Sequence, residues 1–312
     1  MRRSLGFDTS NYTTSVAYAG MDEYVSKRQI LDVKKGERGL RQNDALFLHT
    51  KNIPSLIDGL DINRDELVCI SVSDKPRDAE GSYMPCFLSG VSCAYSVGKA
   101  MNLPVYTFSH QSGHIMAACM TCGDKSLVNR EFLAYHLSGG TTELVHVIPD
   151  KEKGFKTEII GGTKDLSCGQ IIDRCGVYLG FEFPCGNGME KKMNGNLESM
   201  KVKTDDGYFN LSGIENKCLK LIEDGRSEED IISFVFSYCA NVIVSSVSDC
   251  LKKDKYRDLP VLFAGGVMRN NYIRSFIEKE IENAKFGSIE LSSDNAVGIA
   301  WLGLYKEGGM LG

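Results

Sequence analysis

Short apolar runs broken by turn formers dominate the first thirty residues. Strands are predicted over 5–10, 14–19 and from Tyr24, separated by Asn11-Tyr12-Thr13 and Gly20-Met21-Asp22, which makes a β-meander. Over 43–60 the period changes: Ala45, Leu46, Leu48, Ile53, Leu56, Ile57 and Leu60 recur at helical spacing, with Pro54 marking a break or a new start. A continuous apolar run over 67–72 suits a buried central strand. A small-residue helix over 89–101, a strand over 105–108 and a helix carrying Ile115 to Cys119 follow.

The pattern restarts after Asp124. Strands over 132–137 and 143–148 flank the turn Ser138-Gly139-Gly140-Thr141-Thr142, and a third strand covers 155–160. Helices are predicted over 168–180, 214–223 and 228–252, the last with a broad apolar stripe that reads as core. A strand over 260–264 ends in Gly265-Gly266; a helix over 271–283, a strand over 286–291 and a helix over 295–306 complete the chain. Both halves thus open with a hairpin tipped by Gly, Ser or Thr. At 312 residues the chain is long for one hydrophobic core. The expectation is an α/β fold of two similar lobes with a cleft between them. The N-terminal lobe takes 1–127 and is completed by the C-terminal helix 295–312; the C-terminal lobe takes 128–294 with a helical insertion.

Composition narrows the class. Hydrophobic content of 42% and charged content of 25% suit an ordinary globular protein. No apolar run is read as reaching the 18 or more residues of a membrane span, and Met1-Arg2-Arg3-Ser4-Leu5 reads as the approach to a first strand, so no membrane partner is expected. Eleven cysteines, an odd number without framework spacing, point to a reducing cytoplasm, with Cys119-Met120-Thr121-Cys122 as reduced structural thiols. A net charge of −5 argues against nucleic acid gripped by the whole surface. Lys191-Lys192 and Lys252-Lys253-Asp254-Lys255 could form a local basic patch or simply a solvated face.

His110 and His114, four apart at a strand-to-helix junction, can point to one side of the first helical turn, as two metal-binding imidazoles must. Ordinary cap or surface histidines share that spacing. Three strand-end turns, Asp8 to Asn11, Leu137 to Thr142 and Phe263 to Val267, carry residues that let backbone N–H groups approach an anion. Asp173 could bond a ribose hydroxyl, or pair with Arg174 or solvent. Asp294 could cap the last helix or complete a two-histidine, one-carboxylate metal site.

These residues resemble the TsaD family, the tRNA threonylcarbamoyladenosine transferases once called O-sialoglycoprotein endopeptidases. That family shares the actin, sugar-kinase and heat-shock ATPase (ribonuclease H-like) fold. The likeness lies in His110-Gln111-Ser112-Gly113-His114, Ser138-Gly139-Gly140-Thr141-Thr142, Ile172-Asp173-Arg174, Phe183-Pro184-Cys185-Gly186-Asn187, Gly265-Gly266-Val267-Met268-Arg269-Asn270 and Ser293-Asp294-Asn295. It implies one divalent metal ion, iron or zinc, on His110, His114 and Asp294. It implies adenylate or ATP-type contacts from Ser138, Gly139, Gly140, Thr142, Asp173, Gly186 and Asn270, with Asp8 and Asp173 as catalytic carboxylates. The implied reaction moves a threonylcarbamoyl group from its adenylate to adenosine of tRNA. The implied partners are tRNA, reached through partner proteins, and either a complex with related tRNA-modification proteins or a homodimer.

Three departures stand out. The family's first strand ends Glu-Thr-Ser-Cys-Asp-Glu-Thr; here it reads Asp8-Thr9-Ser10-Asn11-Tyr12-Thr13-Thr14, and neither Tyr12 nor Thr13 is a carboxylate base near neutral pH. Ser73 to Tyr83 stands where a Gly-Pro-Gly loop is expected, and Thr141 replaces a histidine. The pattern is that of a divergent paralogue. It leaves two alternatives to the transferase: a partner or regulator that binds metal and nucleotide without turnover, and a phosphotransferase or ATPase of the same fold.

Overall fold

The computed structural model describes residues 1–10, 12–32, 40–194, 201–292 and 296–308. In chain order the first elements are β1 (Arg3–Asp8), β2 (Thr13–Ala19), β3 (Tyr24–Ile30), α1 (Gln42–Asp58), β4 (Leu67–Lys75), α2 (Leu88–Met101), β5 (Val105–Ser109) and α3 (His110–Thr121). Then come β6 (Phe132–Leu137), β7 (Thr142–Asp150), β8 (Gly154–Thr163), α4 (Cys168–Tyr178), α5 (Gly186–Glu190) and β9 (Tyr208–Phe209). The last are α6 (Ser212–Glu223), α7 (Glu228–Leu251), β10 (Val261–Ala264), α8 (Asn271–Glu280), β11 (Ala284–Phe286) and α9 (Val297–Lys306). The chain divides into two compact units. Unit 1 is Met1–Arg130, Ile148–Lys156 and Glu290–Gly312; unit 2 is Glu131–Val147 and Thr157–Ile289.

Each sheet is built on one plan. The first has the order β3-β2-β1-β4-β5 and the second β11-β10-β6-β7-β8-β9. With β6, β7, β8, β10 and β11 counted as strands one to five, the second repeats the 3-2-1-4-5 order of the first and adds β9 at its edge. In both, the first strand pairs antiparallel with the second and parallel with the fourth. This is the α/β architecture of the actin and sugar-kinase group.

In unit 1 the alternation of β1 sorts its two faces. Leu5 and Phe7 enter a core with Val16, Ile70, Val72, Ile53 and Leu56, which seats α1 and α2 on one side. Gly6 faces the other side, where a Cβ would lie 2.6 Å from the Ala296 carbonyl oxygen, so α9 presses close on the sheet. α9 also crosses α3 at closest range where Gly298 faces Gly113; a Cβ on Gly298 would stand 1.9 Å from the Gly113 oxygen. The α3 helix that carries both histidines is therefore clamped by a backbone-to-backbone contact.

Unit 2 gathers its core around α7. By length and composition this 24-residue helix could cross a bilayer, which corrects the expectation that no stretch reaches that limit. However, 72% of its most apolar window is buried inside the protein, against α4, α6, α8 and β9. A helix apolar nearly all round belongs in a core.

Three other expectations are adjusted. α1 runs unbroken through Pro54. That residue is exposed, while Ala45, His49, Asn52, Ile53 and Leu56 hold the opposite face. The strand expected over 286–291 is β11, displaced to Ala284–Phe286, because its partner β10 has only four residues to offer. The helix expected over 271–283 stops at Glu280.

Candidate functional site

In unit 1 the carboxyl ends of β1, β4 and β5 stand side by side, since β4 pairs in parallel with both neighbours. β5 passes directly into α3. Ser109 caps that helix, its hydroxyl oxygen accepting the Ser112 N–H at 3.2 Å. His110 is thus the first helical residue, and His114, one turn on, lies on the same face. The two Nε2 atoms are 3.0 Å apart. His114 is buried and His110 keeps 18% of its side chain exposed.

Behind the pair, Asp8 at the end of β1 is 1% exposed. Its Oδ2 lies 2.8 Å from His110 Nδ1, while Oδ1 accepts from Ser73 Oγ at 2.6 Å and from the Ser10 N–H at 3.2 Å. A buried carboxylate needs such partners. With three of them it holds the ring of His110 with Nε2 facing forward. Asp8, expected as a catalytic group, is thus in direct contact with His110.

This arrangement fits a bound ion. Two imidazole nitrogens at ~2.1 Å from one metal, with an angle between right and tetrahedral, stand about 3.0–3.4 Å apart. Metal-ligating histidines also commonly donate their second nitrogen to a carboxylate. Among the described residues no group of three or more His, Cys, Asp or Glu side chains is set to hold a metal. The reason is visible at Asp8, which meets the far nitrogen of His110. The third expected ligand, Asp294, lies outside the described residues.

Unit 2 places its own strand-end turns together, because β6 and β10 are parallel neighbours with His136 opposite Ala264. In the turn after β6 the Ser138 hydroxyl accepts the N–H groups of Gly140 and Thr141 at 3.3 and 3.0 Å. Gly139 and Gly140 have open space where a Cβ would be. Thr142 is buried, and its hydroxyl accepts the Cys168 N–H at 2.9 Å, capping α4 from outside. After β10, Gly265 has φ +105° and its missing Cβ would meet the Leu137 oxygen at 2.3 Å, whereas Gly266 is open. Gly265 lets the two turns touch, and no side-chain-bearing residue could take its place without displacing the backbone.

Asp173 on α4 accepts the Cys185 N–H at 2.8 Å and so pins the segment carrying Gly186. Burial pushes its carboxyl above the ordinary range, with the Cys185 N–H opposing. Arg174 does not pair with it; the guanidinium donates to Glu215 at 2.8 Å. Asn270 caps α8, its Oδ1 accepting from the Ile273 N–H at 2.9 Å. The residue is 7% exposed, and its Nδ2 is buried with no partner.

The lysines of the two basic runs lie at the surface, and four of them form ion pairs. Lys252 meets Asp249, Lys253 meets Asp206, Lys255 meets Glu158 and Lys192 meets Glu228, at 2.6 to 3.5 Å. Every cysteine is free, and Cys119 is fully buried, which pushes its thiol far above the usual range. The Cys122 thiol donates to the Cys119 carbonyl at 3.3 Å, a helix-end contact.

Comparison with known proteins agrees with the fold. Residues 34–301 match the family model for TsaD, tRNA N6-adenosine threonylcarbamoyltransferase. A curated protein of that name from Thermosipho africanus is 28% identical, with 97% of this chain and 94% of the relative covered. One from Streptococcus pneumoniae is 27% identical, covering 96% and 91%. Among solved structures, the activator of 2-hydroxyisocaproyl-CoA dehydratase from Clostridium difficile with bound ADPNP matches with a TM-score of 0.54 at 13% identity, over 99% of this chain and 97% of that one. Full-length HypF in its phosphate- and nucleotide-bound form matches with a TM-score of 0.61 at 12% identity, over 99% of this chain and 46% of HypF. Such distant structures establish the fold alone.

Proposed function

Because the chain belongs to the TsaD family of tRNA N6-adenosine threonylcarbamoyltransferases, we propose that it is a metal-dependent transferase that takes a threonylcarbamoyl group from its adenylate. The observation that carries this reading is the wired pair of imidazoles, with His110 and His114 Nε2 atoms 3.0 Å apart and Asp8 behind them. Iron or zinc held by His110, His114 and Asp294 would supply Lewis-acid charge to an acyl or phosphate oxygen. Asp8 keeps His110 in one orientation, and Ser73 and the Ser10 N–H hold Asp8 in place.

Unit 2 supplies the adenylate contacts. The turns at Gly139, Gly140 and Gly266, open where a Cβ would stand, let phosphate oxygens approach the backbone, and Asn270 Nδ2 donates to a further acceptor of the ligand. Asp173 positions the Gly186 segment through Cys185. In the reaction the acceptor amine nitrogen bonds to the carbamoyl carbon, the bond from that carbon to the phosphate oxygen breaks, and adenylate leaves with its charge met by N–H donors. The amine gives up one proton, to solvent or leaving group.

A second reading is favoured by one observation. Asp8 is fully occupied, and Tyr12 and Thr13 stand where the family has acids. A partner or regulator that binds metal and nucleotide without turnover fits that loss of a base. The test is synthesis of threonylcarbamoyladenosine from tRNA, threonine, bicarbonate and ATP with the partner enzymes supplied. Product that disappears with Asp173→Ala supports the transferase. No product, where an authentic family member works, overturns it. Metal and adenylate binding without product then favours the regulator, and ATP consumption without tRNA favours a phosphotransferase or ATPase.

A further inference from the structure

Helices α4 and α6 meet through groups that the proposed reaction does not use. Arg174 and Tyr178 both donate to Glu215 at 2.8 Å. Cys175 adjoins both donors on α4, and Cys218 stands one helical turn beyond Glu215 on α6. The crossing therefore brings two buried free thiols face to face, and the Cys175 S–H donates to the Cys218 sulfur. That bond draws the Cys218 thiol below its ordinary range against the cost of burial. The same bond, together with burial, pushes Cys175 up.

A second thiol contact, between Cys168 and Cys239, differs in what holds it. Cys239 lies midway along α7, which is buried over most of its length. By contrast, α6 fully buries Ile214 and Cys218 among its twelve residues, with Leu221 and Ile222 packed at the margin. Its bond from Arg174 is an exposed ion pair, which contributes little in water. Elements with few buried apolar contacts open locally at lower cost than the core they rest on. Cys218 therefore sits on the more easily opened of the two helices, and Cys239 on the less.

We propose that Cys175 and Cys218 form a redox-sensitive clip, which a hydroperoxide closes into a disulfide that fastens α4 to α6. When α6 opens, the Cys218 thiolate attacks one peroxide oxygen. The O–O bond breaks, leaving a sulfenic acid on Cys218 and releasing hydroxide or alkoxide. As α6 closes, the Cys175 sulfur attacks the sulfenyl sulfur, the S–O bond breaks and the S–S bond forms. The Cys175 proton leaves with that oxygen as water, and two electrons have passed from the sulfurs to the peroxide. The new bond closes the chain between residues 175 and 218, which takes freedom from the opened state. The unaltered, reduced protein should be treated with hydrogen peroxide, digested without reductant and mapped by mass spectrometry, with amide hydrogen exchange followed before and after. The expected result is a peptide pair joined through Cys175 and Cys218 and released by dithiothreitol. Exchange of the α6 amides should slow about tenfold or more in the oxidised protein. Cys218→Ser, shown to be folded by its melting curve, should lose the link. Oxidation of the partly exposed Cys93 and Cys122 while Cys175 and Cys218 remain thiols overturns the proposal. So does Cys218 joined to any other cysteine, or a linked protein whose α6 exchange is unchanged.

Discussion

The two sheets share one strand order but finish their strands differently. At the carboxyl ends of β1, β4 and β5 the side chains are connected to one another, Ser73 to Asp8 to His110 to His114. At the carboxyl ends of β6 and β10 the backbone is bare, with Gly139, Gly140 and Gly266 open and Asn270 Nδ2 unmet. The first arrangement fixes two imidazole nitrogens 3.0 Å apart before anything binds. The second leaves open space beside its glycines. A shared topology brings the strand ends together in each unit, and the residues placed there decide whether side chains bond to one another or glycines leave the turn open.

The largest expected effect breaks the unit 1 chain. Anaerobically purified protein should hold one metal ion per chain by elemental analysis, falling to background in His110→Ala. Asp8→Ala should weaken the metal roughly 10- to 100-fold, as loss of an orienting carboxylate does. Metal content below stoichiometry and indifferent to His110→Ala would remove the site.

Next, a methyl group separates glycines that pack from glycines that wait. Gly298→Ala puts a carbon into the Gly113 carbonyl and should cost about 1–3 kcal/mol or more, seen as a lower melting temperature. Gly266→Ala enters open space and should change stability by less than about 0.5 kcal/mol. It should nevertheless weaken AMP binding, and equal affinity for AMP would show that the cradle lies elsewhere.

The smallest effect concerns how unit 2 holds its helices. Against the cost of burial, N–H donors from Leu211, Ser212 and Leu166 draw the Asp165 carboxyl down to about 2. The folded value lies below the unfolded one of about 3.9. Its stabilisation is therefore present above pH 4 and lost as the pH falls toward 2. Asp165→Asn should lower stability at pH 7 modestly, since the side chain is exposed, and the two proteins should converge at pH 2. A difference that persists unchanged to pH 2 would rule out the charge as its source.

Periodicity alone exposed most of the architecture: the opening hairpins of both halves, the paired strands and the long α7 stripe all follow from short-range pattern. It misplaced β11 and read Pro54 as a boundary, because strand length depends on the partner strand and a proline on an exposed face does not stop a helix held by its other side. Motif likeness named His110, His114 and Asn270, whose spacing is local. It did not foresee that the Thr142 hydroxyl accepts the Cys168 N–H of α4, or that Ser73 bonds Asp8.

By itself the sequence determined the order and type of most elements, though not α5 or β9, as well as the family and which residues sit at most strand ends, since each of these is written in neighbouring positions. Only the tertiary structure decided what those residues do. Asp8 and His110 are 102 positions apart, and Ser73 and Asp8 are 65 apart. Whether such groups bond to each other or remain open to a ligand is fixed by the parallel pairing of β1 with β4 and β4 with β5, and by glycines that let α9 close on α3. Those are long-range packing relations, which no local pattern encodes.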